Sequence, residues 1–301
     1  MASSERYSEM RRSKLKKIAK ETLDAQETGY YSFKGVDYRL EDPSRGTAFL
    51  PPESATKLWT SVEHPSTEDF PPAYISVLQI STMDAARILH NAYQHRPNVA
   101  ASEKTGVLNY ASATKPGGGF LNGAEAQEES IARSSTLYPS LCSQEATKFY
   151  ALHKDAQNMT PSYSHAIIYS PNVTVFRDDD GGWTYPFNIN VVTCAAVNAG
   201  ELRKATGPIT AGLDVEIETT MRERMGRILY VFEQDGVRNL VLGTFGTGVF
   251  RNKVATVARI WASLLVGNGR FKYSFKRIIF AITGMDAFAE FQSAFDAWAK
   301  T

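Results

Sequence analysis

Cysteine is scarce in this chain: among 301 residues there are only two, Cys142 and Cys194, far apart and both in runs that read as core or near-core. That excludes a disulfide framework and suits a reducing compartment. No apolar run approaches the roughly 18 residues of a membrane span, and the N-terminus lacks the apolar core of a secretory signal. An intracellular protein, cytoplasmic and/or nuclear, with no membrane partner is expected. An excess of one charge is also missing. Lys and Arg number 33 against 32 for Asp and Glu, a formal net charge of +1, so any anion site must be local. No internal repeat is present. None of the histidines His64, His90, His95, His153 and His165 forms His-Glu-x-x-His or pairs with cysteine at metal spacing. Asp178-Asp179-Asp180-Gly181-Gly182 lacks the spacing and terminal glutamate of a calcium loop and reads as a solvated turn. No metal or other cofactor is expected. No Gly-x-Ser-x-Gly elbow marks a serine nucleophile.

What is present is a core's worth of apolar residues, 43% of the chain, arranged in alternating periods. Residues 73 onward read as strand and helix in turn: strands over Tyr74–Leu78, Val107–Ala111, Ala166–Tyr169, Val173–Phe176, Ile189–Ala195, Asn239–Leu242 and Arg277–Ile282. Helices are expected over Thr82–Tyr93, with Ala85, Ala86, Ile88 and Leu89 facing inward. Others start near Gln127, cover 215–234, run to about Val266, and occupy Asp286–Trp298. Ile217, Met221, Met225, Leu229 and Phe232 recur at three to four residues, the stripe of a packed helix. This alternation predicts a sheet sandwiched between helical layers. Upstream, Leu15, Ile18 and Leu23 sit in a helix-prone stretch carrying Arg11, Arg12, Lys14, Lys16, Lys17 and Lys20. That stretch reads as the wet face of a terminal helix, with a nuclear address or an acidic-polymer contact as alternatives. Residues 40–72, rich in proline, read as loop.

Two strand–glycine–helix junctions stand out. Gly117-Gly118-Gly119 follows the strand ending near Tyr110 and precedes Gln127-Glu128-Glu129, where a helix begins. Alone, three glycines read as a flexible loop and Gln-Glu-Glu as a solvated first turn. Together they place bare backbone N–H groups, which suit a pyrophosphate, beside two carboxylates. That combination suits cleavage of a nucleotide-sugar glycosidic bond. The second junction, Gly246-Thr247-Gly248-Val249-Phe250, is neither a Walker loop nor a Rossmann fingerprint. Ligands collect at the carboxyl ends of strands, so both junctions could face one crevice. Phe250 also fits a core aromatic capping the helix start, and Asn109 fits a turn-stabilising amide.

The glycine triplet, a spacer, and Gln-Glu-Glu, within Val107-Leu108-Asn109-Tyr110-Ala111-Ser112-Ala113 and Ile131-Ala132-Arg133-Ser134-Ser135-Thr136-Leu137-Tyr138, resemble the signature of the poly(ADP-ribose) glycohydrolases of the shorter microbial type. The resemblance runs from about Tyr74 to Trp298. It implies a three-layer α/β/α macrodomain-like mixed sheet at residues 73–301, preceded by an N-terminal helical and loop accessory region at 1–72. It implies poly(ADP-ribose) or ADP-ribosylated protein as substrate and ADP-ribose as product. By position in the motif, Glu129 is the catalytic acid and base, Glu128 holds ribose hydroxyls and Gln127 supports the loop or ligand. Asn109 becomes a ribose ligand, Gly117, Gly118 and Gly119 line the substrate site, and Gly246, Thr247, Gly248 and Val249 wrap the diphosphate. Phe250 packs on the scissile ribose. Ala195-Ala196-Val197-Asn198 also matches, except that proline is expected in place of Val197. Adjacent helical residues point about 100° apart, so Glu128 and Glu129 should do different jobs. A helix N-terminus lowers a carboxyl pKa, whereas a neighbouring carboxylate, a bound diphosphate and exclusion of water raise it. The alternatives are a mono-ADP-ribosyl hydrolase with the same site and a reader that binds ADP-ribose without cleaving it.

Overall fold

The computed structural model describes residues 2–61, 71–94, 103–155, 160–206 and 211–300. His64, Pro65 and His95 lie outside them. A long helix α1 (Ala2–Thr28) opens the chain, followed by a hairpin of β1 (Tyr30–Phe33) and β2 (Val36–Arg39). The main elements are β3 (Ala48–Leu50), β4 (Tyr74–Leu78), α2 (Thr82–Gln94), β5 (Thr105–Tyr110) and α3 (Gln127–Ser134). They continue as α4 (Leu137–Leu141), α5 (Gln144–Lys154), β6 (Ile167–Arg177), β7 (Trp183–Cys194) and α6 (Ala199–Thr206). The last are α7 (Ala211–Gln234), β8 (Asn239–Leu242), α8 (Val254–Leu265), β9 (Arg277–Ala281) and α9 (Met285–Ala299). No helix among the described residues is long and apolar enough to cross a membrane.

Seven strands form one mixed sheet in the order β3-β6-β7-β5-β8-β9-β4. β3, β6 and β7 pair antiparallel, and β7, β5, β8, β9 and β4 run parallel. Successive residues of a strand face opposite sides, and the sheet separates two cores accordingly. Leu108, Val192, Leu240 and Phe280 pack with α7, α8 and α9 on one face. Val107, Val191, Val241 and Ile279 pack with α2, α3, α4 and α5 on the other. Because both faces are covered, β5 is buried from Thr105 to Asn109 and shows no in–out alternation. The five stripe residues of α7 are all buried, as the period predicted. The expected three-layer architecture is therefore observed, with the N-terminal helix beside it.

Several local expectations change. Ile88, placed on the inner face of α2, is 48% exposed; the helix turns Ala85, Ala86 and Leu89 inward and leaves Ile88 at its flank. Cys142 is exposed while Cys194 is buried, and both are free thiols. The two strands expected over 166–176 are one strand, β6, with a register shift between Ser170 and Val173. Asn172 sits there at φ 54°, so one extra residue bends the strand without ending it. The aspartate-rich turn joins β6 to β7 and is closed by Asp178 N–H donating to Gly182 O at 2.9 Å. The proline-rich stretch is not all loop: β3 pairs with β6 through Ala48–Tyr169, Phe49–Ile168 and Leu50–Ile167. The β1–β2 hairpin turns on Lys34 and Gly35, at φ 52° and 77°, the left-handed pair that matches strand twist.

α1 leaves its basic side chains in solvent, as expected of a wet face, and buries Leu15, Ile18, Ala19 and Thr22. Ala19 packs on Phe120 and Ala132, in the first glycine loop and α3. Thr22 Oγ1 donates to Arg133 O at 2.8 Å. Gly123, at φ 72°, meets the helix so closely that a Cβ would lie 2.5 Å from Arg12 O.

Candidate active site

Both strand–glycine–helix junctions open on a single cavity of about 780 Å³, within the range of small-molecule sites. Gly118, Gly119, Gln127, Glu128 and Glu129 form one wall, and Gly246 to Phe250 form another. Topology explains the meeting. β5 and β8 are parallel neighbours, so the loops after their carboxyl ends emerge on the same edge of the sheet.

Helix α3 is held to the end of β5 by Gln127. Its Oε1 accepts Tyr110 N–H at 2.9 Å and its Nε2 donates to Leu108 O at 2.7 Å. Pairing of β8 with β5 ends at Val107–Val241. Beyond that point the Gln127 amide occupies the side of β5 where a strand would otherwise bond. Gln127 is thus a tether for the loop.

The two acids that follow are supported differently. Glu128 is buried, with Oε2 accepting Ser112 N–H at 2.7 Å and Oε1 facing Asn109 Nδ2 at 3.4 Å. Removal from water pushes its carboxyl up to about 8, with the charge of Glu129 adding to the rise and the bonds from Ser112 and Asn109 opposing it. Of the competing effects on a carboxyl at a helix start, burial wins for Glu128. Glu129 is also buried, but only Oε1 is held, accepting Gly119 N–H at 2.7 Å; Oε2 has no partner. Gly118, at φ 57°, lies between them: a Cβ there would stand 3.0 Å from Glu128 Oε2 and collide with Glu129 Oε1. Only glycine fits that backbone and that space. The acids therefore diverge in their anchors yet both border Gly118.

Two candidates sit behind the wall. Asn109 is fully buried, its Nδ2 shared between Glu128 and Thr193 Oγ1 at 3.1 Å. It positions Glu128 instead of lining the cavity. Gly117, at φ 63°, packs against Tyr138 and supplies the turn, not the surface.

The second loop closes on Asn252. Asn252 N–H donates to Gly246 O at 3.1 Å, and Nδ2 donates to Gly246 O at 3.0 Å and Val197 O at 2.7 Å. Gly246, at φ 75°, has no room for a side chain between Ala196 and Asn252. Where proline was expected, Val197 keeps an N–H, which donates to Met221 Sδ at 3.4 Å. Val249 projects into solvent, 84% exposed, while Phe250 is half-buried, lines the cavity and packs on Tyr163 at 5.7 Å between ring centres.

Sequence reasoning missed Ser112, Thr193, Tyr163 and Arg224. Arg224 is fully buried and donates to Ala195 O at 2.8 Å, Ser162 O at 2.9 Å and Tyr163 O at 3.2 Å. It clamps Tyr163 beside Phe250. Ser112 lies inside the motif stretch but contributes only its backbone N–H, whereas Thr193, Tyr163 and Arg224 reach the site through tertiary pairing and carry no local motif. His153, by contrast, is buried away from water, which drops its imidazole to about 4. Its Nε2 accepts Ser164 N–H at 3.1 Å, a structural role.

A mixed sheet between helical layers, with glycine junctions and paired acids around one cavity, is the arrangement expected of a glycosidase that acts on a nucleotide sugar. Residues 19–178 match the family model for the microbial-type PARG catalytic domain. The poly(ADP-ribose) glycohydrolase of Thermomonospora curvata superposes with a TM-score of 0.81 at 36% identity, covering 94% of this chain and 98% of that one. Its complex with the inhibitor ADP-HPD gives 0.78 at 36% identity, with coverage of 94% and 98%. The Deinococcus radiodurans enzyme in complex with ADP-ribose gives 0.72 at 31%, covering 85% and 96%. No curated protein matches. The chain belongs to the microbial-type poly(ADP-ribose) glycohydrolase family. The family match begins inside α1, upstream of the Tyr74 at which the sequence motifs begin.

Proposed function

We propose that the protein hydrolyses the ribose–ribose O-glycosidic bond of poly(ADP-ribose) and releases ADP-ribose. The observation that carries this is the unequal anchoring of the acids. Both Glu128 oxygens face donors, whereas Glu129 keeps Oε2 without a partner. Glu129 protonates the leaving ribose oxygen as the C–O bond breaks, then takes a proton from the water that adds to the sugar carbon. Positive charge on the sugar is stabilised by the substrate's own diphosphate, held over the glycine loops. Glu128 binds ribose hydroxyls, and Phe250 packs on the ribose to be cleaved. Within the segment 1–72, expected to be an accessory region, α1 and the β1–β2 hairpin take that part, α1 bracing the first glycine loop, whereas β3 belongs to the main sheet.

The test is incubation with poly(ADP-ribose) and, separately, with mono-ADP-ribosylated protein, followed by quantification of free ADP-ribose. Release from the polymer supports the reading. Release only from the mono-modified protein would transfer it to mono-ADP-ribosyl hydrolysis, and binding without release to a reader. Glu129→Gln is expected to cut turnover about 10²–10⁴-fold, the worth of one acid/base. ADP-ribose affinity should stay within about tenfold, because the glutamine oxygen can still accept from Gly119. Full activity in this variant overturns the assignment.

A further inference from the structure

α1 carries an unbalanced charge next to the cavity. From Arg11 to Lys20 the helix has six basic residues and no acid, in a chain of net charge +1. Arg11 is neutralised by Glu125 at 2.7 Å, and Lys17 stands 3.9 Å from Glu21. Lys16 and Lys20 are exposed and have no ion pair among the described residues. Residues four apart lie one above another on a helix, so Arg12, Lys16 and Lys20 form one stripe about 12 Å long at 1.5 Å per residue. That stripe meets the cavity rim. Arg12 Nε donates to Asn122 O at 2.9 Å, and Lys16 Cγ would touch a Cβ on Gly123 at 3.2 Å. Asn122 and Glu125, on either side of Gly123, both line the cavity, as does the exposed Lys115.

We propose that the Arg12–Lys16–Lys20 stripe of α1 is a landing track for the polymer, binding the diphosphates of the ADP-ribose units next to the one in the cavity. This rests on the polymer being the substrate. Each unit brings a dianionic diphosphate, and a regular polyanion along a row of unpaired lysines is bound largely by release of its counterions. The stripe holds no base-reading groups and no aromatic platform, so its contribution is to backbone charge and to polymer length.

The experiment compares the wild type with Lys16→Gln/Lys20→Gln, a double substitution that leaves the rim contact of Arg12 intact. Binding is measured by fluorescence anisotropy on long poly(ADP-ribose), on labelled ADP-ribose and on a single-stranded RNA of matched charge to the polymer, across a salt series. For the long polymer, affinity is expected to fall about tenfold at 0.1 M salt and the log–log salt slope to shrink by about 0.7 per lysine removed. ADP-ribose itself, which has no neighbouring unit to reach the stripe, should bind almost as before. Lys16→Arg/Lys20→Arg should bind like wild type. Lys14→Gln, on the opposite flank of the helix, should change affinity less than about twofold, given screening over about 10 Å. Unchanged polymer affinity and slope in the double variant overturn the proposal. An equal loss for ADP-ribose overturns it too, and so does a loss for RNA alone. A wild type that binds polymer but does not cleave it would sink the hydrolytic reading while leaving the track measurable.

Discussion

At the scale of single residues, the raised carboxyl of Glu128 ties the candidate site to stability. In the unfolded chain a glutamate titrates near about 4.3, and in the folded protein Glu128 titrates at about 8. The folded state therefore holds the proton more tightly. Between these values ionisation costs stability, which declines as pH rises through the window and levels off above it. Glu128→Gln mimics the protonated form and should lack this slope. Calorimetry at pH 5, 7 and 9 should find the variant increasingly more stable than wild type as pH rises. The gap should reach several degrees, since about 1 kcal/mol corresponds to roughly 2–4 °C in larger domains. A constant gap would show that Glu128 titrates normally. Phe250 offers a second test. Half-buried against Tyr163, it should behave as a positioning ring. Phe250→Ala is then expected to lower turnover by about 10²-fold, with little change in melting temperature. A core aromatic would instead lose about 3–5 kcal/mol of stability. An early-melting variant that turns over normally per folded molecule would refute the active-site role.

At the scale of elements, the contact between α1 and the first glycine loop tests whether the helix braces the acids. Gly123→Ala adds a methyl that collides with the Arg12 carbonyl in a left-handed backbone. It should cost about 1–3 kcal/mol of stability and lower turnover, because the displaced loop carries the Gly119 N–H that holds Glu129. Gly236→Ala is the control. Gly236 has φ 70° and nothing within 4 Å, so it should show backbone strain alone, with normal turnover per folded molecule. Elements also show where sequence was legible. β4 and β8 were read to the residue because both are short apolar runs between turns. β3 was not, because its three residues owe their conformation to pairing with β6. The hairpin β1–β2 hides because its outer face is wet. Of the site, the glycines and acids were legible through their spacing. The placement of Asn109 beneath Glu128 was not, since sequence marks the end of a strand but not which side chain the next helix covers.

For the whole molecule, α1 ties the first glycine loop and α3 to the β6–β7 turn. It packs on Phe120 and Ala132, and its Glu21 pairs at 3.2 Å with Arg177, which is almost fully buried and stacks on Trp183. Deleting residues 1–28 should therefore do more than trim a tail. It exposes that apolar cluster and leaves the buried Arg177 charge without its carboxylate; because Glu21 is 41% exposed, solvent screens the pair and its loss costs less than the roughly 3–5 kcal/mol of a fully buried one. Denaturant unfolding of the truncated protein should show a midpoint well below that of the full chain, with turnover lost in parallel. A truncated protein as stable and active as the full chain would make α1 dispensable to the catalytic unit.

The Gln127 tether has a consequence of another kind. The Tyr110 N–H bonds to a side chain and not to a neighbouring strand, although β5 lies in the middle of the sheet. Its exchange with solvent deuterium then needs only the undocking of α3, not the opening of the sheet. In a central strand, the Tyr110 amide would exchange faster than Leu108 and keep time for α3, reporting how often Glu128 and Glu129 leave the cavity wall.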